Sequence, residues 1–435
     1  MLAGQKWRNL LSFGYVCLLL SWLLGFVFLL AKLFLNHQLF FYRQADQLHY
    51  QDFVNVYMSG SLVYSGNGHS IYDPATQLAW WNHFLAPIHI DKALYWQYPP
   101  FFFSLMTPLA LFPIALAFLL WTALSLTVGL AAILLLLKAR RCFSRLDVAL
   151  FCLGVLASLP SWMTLRMGHL AYFMLGLFAL FYWSWVTRRD LPGGVALAMC
   201  SIKPQYLIFL LLPTLAACRW KLIACALVAE LILIILAWAT VGFENVIGYP
   251  NVLFHVETSA TVHGVNPEQM ISLRACLSQI LPQTVALPVS LVVCFACLIA
   301  LFLAWRLAIR RQGQAIPWAM ALTVTAGLLV SPHTHFYDCL LLALPAALTL
   351  PNLNIWQALE EPDAAFRTWC LTLLIYPLIG VFLFAAWEFI PGAIHQPLPT
   401  MIVNLILLIS AILCFRSSLL NPATASQEIQ SLSSC

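Results

Sequence analysis

Residues 116–137 read LAFLLWTALSLTVGLAAILLLL, 22 consecutive positions without a formal charge. A helix rises about 1.5 Å per residue, so this run reaches roughly 33 Å and can cross a hydrocarbon core of about 30 Å. It lacks the alternation of a membrane β-strand. In lipid only helices and closed barrels satisfy their own backbone polar groups, so the run is read as a helix. Similar runs recur near 11–35, 146–165, 169–187, 222–241, 285–309, 316–331, 336–350, 367–387 and 399–415. Of the 435 residues, 62% are hydrophobic and 9% charged, against roughly 25% charged in a soluble domain. The expected fold is an all-α polytopic membrane protein with about 10–12 transmembrane helices, a single integral-membrane domain over residues 1–435.

The run 11–35 is too long and uninterrupted for a signal peptide and is read as the first span. Lys6 and Arg8 precede it; further basic clusters are Lys138, Arg140, Arg141 and Arg145, then Arg188 and Arg189, Arg219 and Lys221, and Arg306, Arg310 and Arg311. Basic loops stay cytoplasmic. This places residues 36–98 outside as a first external loop with amphipathic helices between the first two spans. Residues 242–282 become a second external loop, its amphipathic segment carrying Arg274. The 21 basic and 16 acidic residues leave a net charge of only +5, which orients the chain and gives no reason to expect nucleic acid. The 13 cysteines are scattered, mostly in apolar runs, and read as small apolar side chains.

Two segments resist a simple span. Pro100–Phe112, ahead of Pro113, is about 20 Å long as a helix and is read as re-entrant or a half-span. Lys203-Pro204 interrupts the apolar run 192–217, where proline breaks the helical ladder and a mid-membrane lysine is costly. Two half-helices meeting at Lys203 keep Arg219 and Lys221 on the cytoplasmic side.

With these breaks, Asp52, Tyr98, the Arg166–His169 turn, Lys203, Arg274 and the His333–Asp338 turn all face outward. Asp52 fits either a helix N-cap or a partly desolvated general base. Lys203, Arg274, His333 and His335 form a candidate anion site, since a phosphate near the membrane needs fixed positive charge and helix-end N–H groups. His333, His335 and Asp338 also have the types of metal ligands, but no third strong ligand follows nearby, and no metal is expected. There is no Gly-rich phosphate loop, Gly-x-Ser-x-Gly elbow or His-Glu-x-x-His, which disfavours soluble nucleotide-sugar chemistry.

One succession of motifs is more specific than any of its parts. Asp52-Phe53 to Tyr57 is followed by Gly66-Asn67-Gly68, Tyr72-Asp73-Pro74, Tyr98-Pro99-Pro100, Pro108-Leu109 and Leu111-Phe112-Pro113. Then come Gly168-His169, Lys203-Pro204-Gln205, Ser272-Leu273-Arg274, and Ser331-Pro332-His333 with Tyr337-Asp338. Over residues 50 to 345 this resembles glycosyltransferase family 87, the polyprenyl-phosphate-mannose-dependent group of the GT-C superfamily. His169 departs from the Gln that usually follows the Gly. The resemblance implies a GT-C-like bundle in the cell (inner) membrane with an extracytoplasmic active site. It implies a polyprenyl-phosphate-linked sugar donor, an inverting transfer of mannose or a similar hexose to a lipid, glycan or protein acceptor, surrounding membrane lipid, and no cofactor. Carried onto this chain, Asp52 would be the general base; Lys203, Arg274 and His333 or His335 would hold the donor phosphate. Tyr57, Tyr98, His169, Gln205, Tyr337 and Asp338 would line the substrate pocket. A lipid or glycan transporter, or a noncatalytic subunit of an envelope-assembly complex, is the alternative; the absence of visible inverted repeats weighs against the transporter.

Overall fold

A computed structural model describes residues 52–86, 96–140, 144–258, 270–311, 315–351, 355–389 and 398–420, with two three-residue strands and isolated positions at 16–27 and 89. The expected span 11–35 lies largely outside the described residues. So does the tip of the second polar stretch, 259–269.

The described chain is almost entirely helical, and the fold is that of an all-α polytopic membrane protein. Its one sheet is a short antiparallel hairpin, Tyr42–Gln44 against Gln47–His49. Among the described residues four helices are long and apolar enough to cross a membrane, Ile114–Lys138, Trp220–Val241, Thr284–Arg311 and Thr400–Leu420, or five if the bent pair Arg145–Ala157 and Leu159–Met167 is one span. Their outward residues, such as Leu227, Leu231, Val292 and Phe295, are exposed aliphatic and aromatic side chains suited to lipid.

The functional half is built around six helices: α1 (Asp52–Tyr64), α2 (Pro74–Leu85), α3 (Pro100–Met106), α4 (Ile114–Arg140), α5 (Arg145–Ala157) and α6 (Leu159–Met167). They are followed by α7 (Ala171–Val186), α8 (Asp190–Met199), α9 (Pro204–Ala216) and α10 (Trp220–Val241). After Phe243–Thr258, α11, come α12 (Leu273–Ile280), α13 (Gln283–Arg311) and α14 (Ala315–Val330).

Prolines set the breaks. Pro100 opens α3, a tight 3-10 turn Thr107–Leu111 ends it, and α4 starts afresh after Pro113. The run 146–165, read as one span, is instead two helices bent by 59°. Ser158 sits in extended backbone between them, its hydroxyl accepting from Ser161 N, and Pro160 in the first turn lacks the N–H a continuous helix would need. The expected span 336–350 is also divided, into a 3-10 segment Phe336–Leu342 and a short helix Ala343–Thr349.

At Lys203 the chain reverses. α8 rises from Asp190 through the 3-10 turn Cys200–Ile202, and α9 descends from Pro204. Arg219, just past α9, pairs with Asp190 at the start of α8 and donates to the Trp185 carbonyl. The start of one half-helix and the end of the other therefore lie together, and Lys203 caps the hairpin. Each arm is about 15–20 Å long, short of a full crossing.

The same polarity runs through neighbouring helices. α7 leads from His169 to Arg188 and Arg189, α9 from Lys203 to Arg219, and α14 from Arg311 to His333. Arg306 on α13 donates to the Ala216 carbonyl at 3.0 Å, joining the arginine end. One end of the bundle is thus basic. The other gathers the polar turns and meets the loop helices, where Asn245 donates to the His69 carbonyl at 2.8 Å and Ser104 bonds Thr240.

Candidate active site

Asp52 opens α1, and the next residue fixes where it points. Phe53 is fully buried, edge-on to Phe118 of α4 at 5.2 Å. It also abuts Gly168, whose φ of 64° forms the left-handed C-cap of α6 and whose carbonyl accepts from Trp121 Nε1 at 2.8 Å. A Cβ on Gly168 would lie 2.5 Å from Phe53 Cβ. Gly168→Ala should therefore destabilise the protein by roughly 2–4 kcal/mol, combining left-handed strain with overpacking. Unfolding of detergent-purified protein reads this out; unchanged stability would mean that α1 does not press on this turn.

Lys203 is 6% exposed, and its ammonium donates to Asp338 Oδ1 at 2.6 Å. The other oxygen of Asp338 accepts from His335 N at 3.0 Å, so one carboxylate holds both the lysine and the turn carrying the histidines. The ammonium also lies over two rings, 5.6 Å from the centre of Tyr206 and 5.4 Å from that of Tyr337. Gln205 Nε2 donates to the His333 carbonyl at 3.2 Å, while His333 and His335 bring their Nε2 atoms within 3.3 Å.

The second polar stretch reaches the same turn. Met270 bridges His335, Ile271 N donates to Thr334 O at 2.9 Å, and buried Arg274 directs its guanidinium to the Pro332 carbonyl at 3.5 Å. His169 stacks on Tyr337 with ring centres 3.5 Å apart. Tyr98 packs on Phe102 at 4.5 Å, and its carbonyl accepts from Tyr72 Oη at 2.6 Å.

The carboxyl of Asp52, outside the spanning helices, shares this field. It is raised to about 6, chiefly by burial and also by Asp338, with Lys203 and His333 pulling the other way. A carboxylate so placed is a stronger base than an ordinary aspartate and is still largely ionised at neutral pH.

The structure thus brings together Asp52, Tyr98, His169, Lys203, Gln205, Arg274, His333, His335, Tyr337 and Asp338. Tyr57 stands apart: its hydroxyl donates to the Phe112 carbonyl at 2.9 Å and its ring meets Phe53 and Phe84. The reading of Lys203 changes as well. It is ion-paired with Asp338, so the positive charge it offers an anion is already balanced by a carboxylate. Tyr206 and Trp121 were missed by the sequence reading, and Phe53 entered it only as part of the Asp52-Phe53 motif. Tyr206 had a signal, lying three residues past Lys203 on the helix that Pro204 starts.

Fold and site together define a helical membrane protein with a carboxylate and a cation cluster gathered at one end of the bundle. Residues 96–332 match the family model of glycosyltransferase family 87, more than half of the chain. The chain belongs to glycosyltransferase family 87 and is a membrane glycosyltransferase. The match spans Tyr98, His169, Lys203, Gln205 and Arg274; Asp52 lies before it, and the histidine turn follows directly after it. No curated protein matches the chain.

Proposed function

We propose that this glycosyltransferase moves a hexose, mannose foremost, from a polyprenyl-phosphate donor to a hydroxyl of a lipid, glycan or protein acceptor. The reaction inverts the anomeric carbon. Asp52 takes the acceptor proton as the acceptor oxygen bonds to that carbon, and the carbon–oxygen bond to the lipid phosphate breaks. The leaving phosphate keeps the electron pair and is held by Arg274, the His333–His335 turn and Lys203. Fixed donors aimed at a departing phosphate stabilise its charge without reorganising in the transition state.

The observation that carries this reading is the family match over residues 96–332 together with the contacts that tie Lys203, Gln205 and Arg274 to the His333–Asp338 turn, and the raised Asp52 carboxyl in the same electrostatic neighbourhood supports it. The basic end of the bundle supports a cytoplasmic placement for the arginines, which leaves the site extracytoplasmic in the cell (inner) membrane. A GT-C-like architecture, one domain over the whole chain with external loops at 36–98 and 242–282, suits such a site.

Purified protein incubated with a panel of polyprenyl-phosphate hexoses, with products identified by mass spectrometry, tests the donor class. Transfer only from nucleotide sugars would overturn the reading. The base is tested by pH. Activity requires ionised Asp52, so kcat/KM should fall about tenfold per unit as pH drops below about 6 and level off above it. A profile flat from pH 5 to 8 would remove Asp52 as base.

A further inference from the structure

His169 is fixed more firmly than a pocket-lining residue needs to be. Its backbone N–H donates to Thr164 O at 2.9 Å, and Gly168 before it is locked between Phe53 and the Trp121 indole. Its ring lies on Tyr337 at 3.5 Å, and the residue is 4% exposed. Yet Nδ1 is buried with no hydrogen-bond partner among the described residues. Leaving a buried ring nitrogen unsatisfied is costly, and such an atom calls for an explanation.

The surroundings narrow what the missing partner can be. Lys203 and the His333 and His335 rings act electrostatically on His169, and Lys203 also acts on Asp52, so His169 stands in the same charged neighbourhood as the proposed base. Phosphate oxygens only accept hydrogen bonds, and cations stand ready for them. A neutral imidazole has one nitrogen that donates and one that accepts, and a hydroxyl does both, so the two pair in either tautomer. Tyr337, stacked on His169 and lying under the Lys203 ammonium, holds the imidazole in place beside the cations.

We infer that His169 is a specificity-determining residue for the transferred hexose, its Nδ1 hydrogen-bonding one ring hydroxyl of the donor sugar. The inference rests on the proposed polyprenyl-phosphate hexose donor and names the atom that reads it. A Gln at this position would likewise offer both a donor and an acceptor from a flat amide.

The test compares the native hexose donor with its monodeoxy analogues on the same lipid phosphate, using intact protein in detergent or liposomes. In the wild type, one deoxy donor should lose at least tenfold in kcat/KM, because a site built to pair a hydroxyl rejects the analogue that lacks it. In His169→Phe, which keeps the stack on Tyr337 and removes the nitrogens, that same deoxy donor should be used as well as the hydroxylated one. His169→Gln should restore most of the discrimination. Each comparison is a ratio within one variant, so partial misfolding cancels. If His169→Phe discriminates among the deoxy donors as the wild type does, the inference is wrong while the donor class stands. If the wild type transfers no polyprenyl-phosphate hexose at all, both fall together.

Discussion

Asp52→Asn should lose at least 10²–10⁴-fold in transfer, the range contributed by a positioned general base, while folding as well as the wild type or better. The two halves of this result come from one number. A carboxyl raised from 3.8 to about 6 binds its proton more tightly in the folded protein than in the unfolded chain. Below pH 4 both states are protonated and the difference vanishes. Above about 6 the folded protein carries the full cost of an enclosed carboxylate, up to roughly 3 kcal/mol for a shift of this size. Asn removes that cost but still caps a helix well, so a capping role for Asp52 would survive the substitution. Thermal unfolding at pH 8 should therefore show Asp52→Asn equal to or more stable than the wild type, with the gap closing toward pH 4. Dead enzyme in a stabilised fold is the signature of a residue kept for chemistry. Turnover of labelled donor near the wild-type rate would leave Asp52 as a cap and nothing more.

How much of this was legible beforehand follows the chemistry of each residue. Proline announces itself, so the breaks at Pro100, Pro113 and Pro204 could be read directly from residues that lack an N–H. The same signal was present at Ser158-Leu159-Pro160, a cap followed by proline in the first turn, but the apolar run around it hid the bend. The hairpin at Lys203 was legible because arginine prefers one side of a membrane, and the pairing of Arg219 with Asp190 gives that preference a geometry.

Contacts across the fold were another matter. Nothing near Lys203 points to Asp338, 135 residues away, and a lysine read alone looks like an anion ligand. Tyr57 failed for a helical reason. Five residues past Asp52 it lies about 140° around α1, on the face that packs against the loop helices instead of the charged cluster. The Asp52 carboxyl could be singled out by type and place, but its shifted affinity for protons comes from burial and from Asp338, Lys203 and His333, which the fold brings near it.

The Lys203–Asp338 pair carries the second large expected effect. Both side chains are nearly inaccessible, at 8% and 1%. Removing one partner of a buried pair strands the other, at about 3–5 kcal/mol, so Lys203→Met and Asp338→Asn should each be strongly destabilised. Lys203→Met with Asp338→Asn strands no charge, and Asn can still accept from His335 N, so the double variant should regain most of the stability lost by either single. Its activity should not return. A site that uses the lysine on the donor phosphate should show the donor KM raised at least tenfold in both Lys203→Met and the double variant, because charge-assisted contacts to phosphate are among the strongest available. If the double variant regains stability and wild-type donor KM together, the ion pair is scaffolding, and the phosphate must be carried by Arg274 and the histidine turn. If the destabilisations simply add, the two side chains are not coupled and the hairpin is held by the aromatic rings around Lys203 instead.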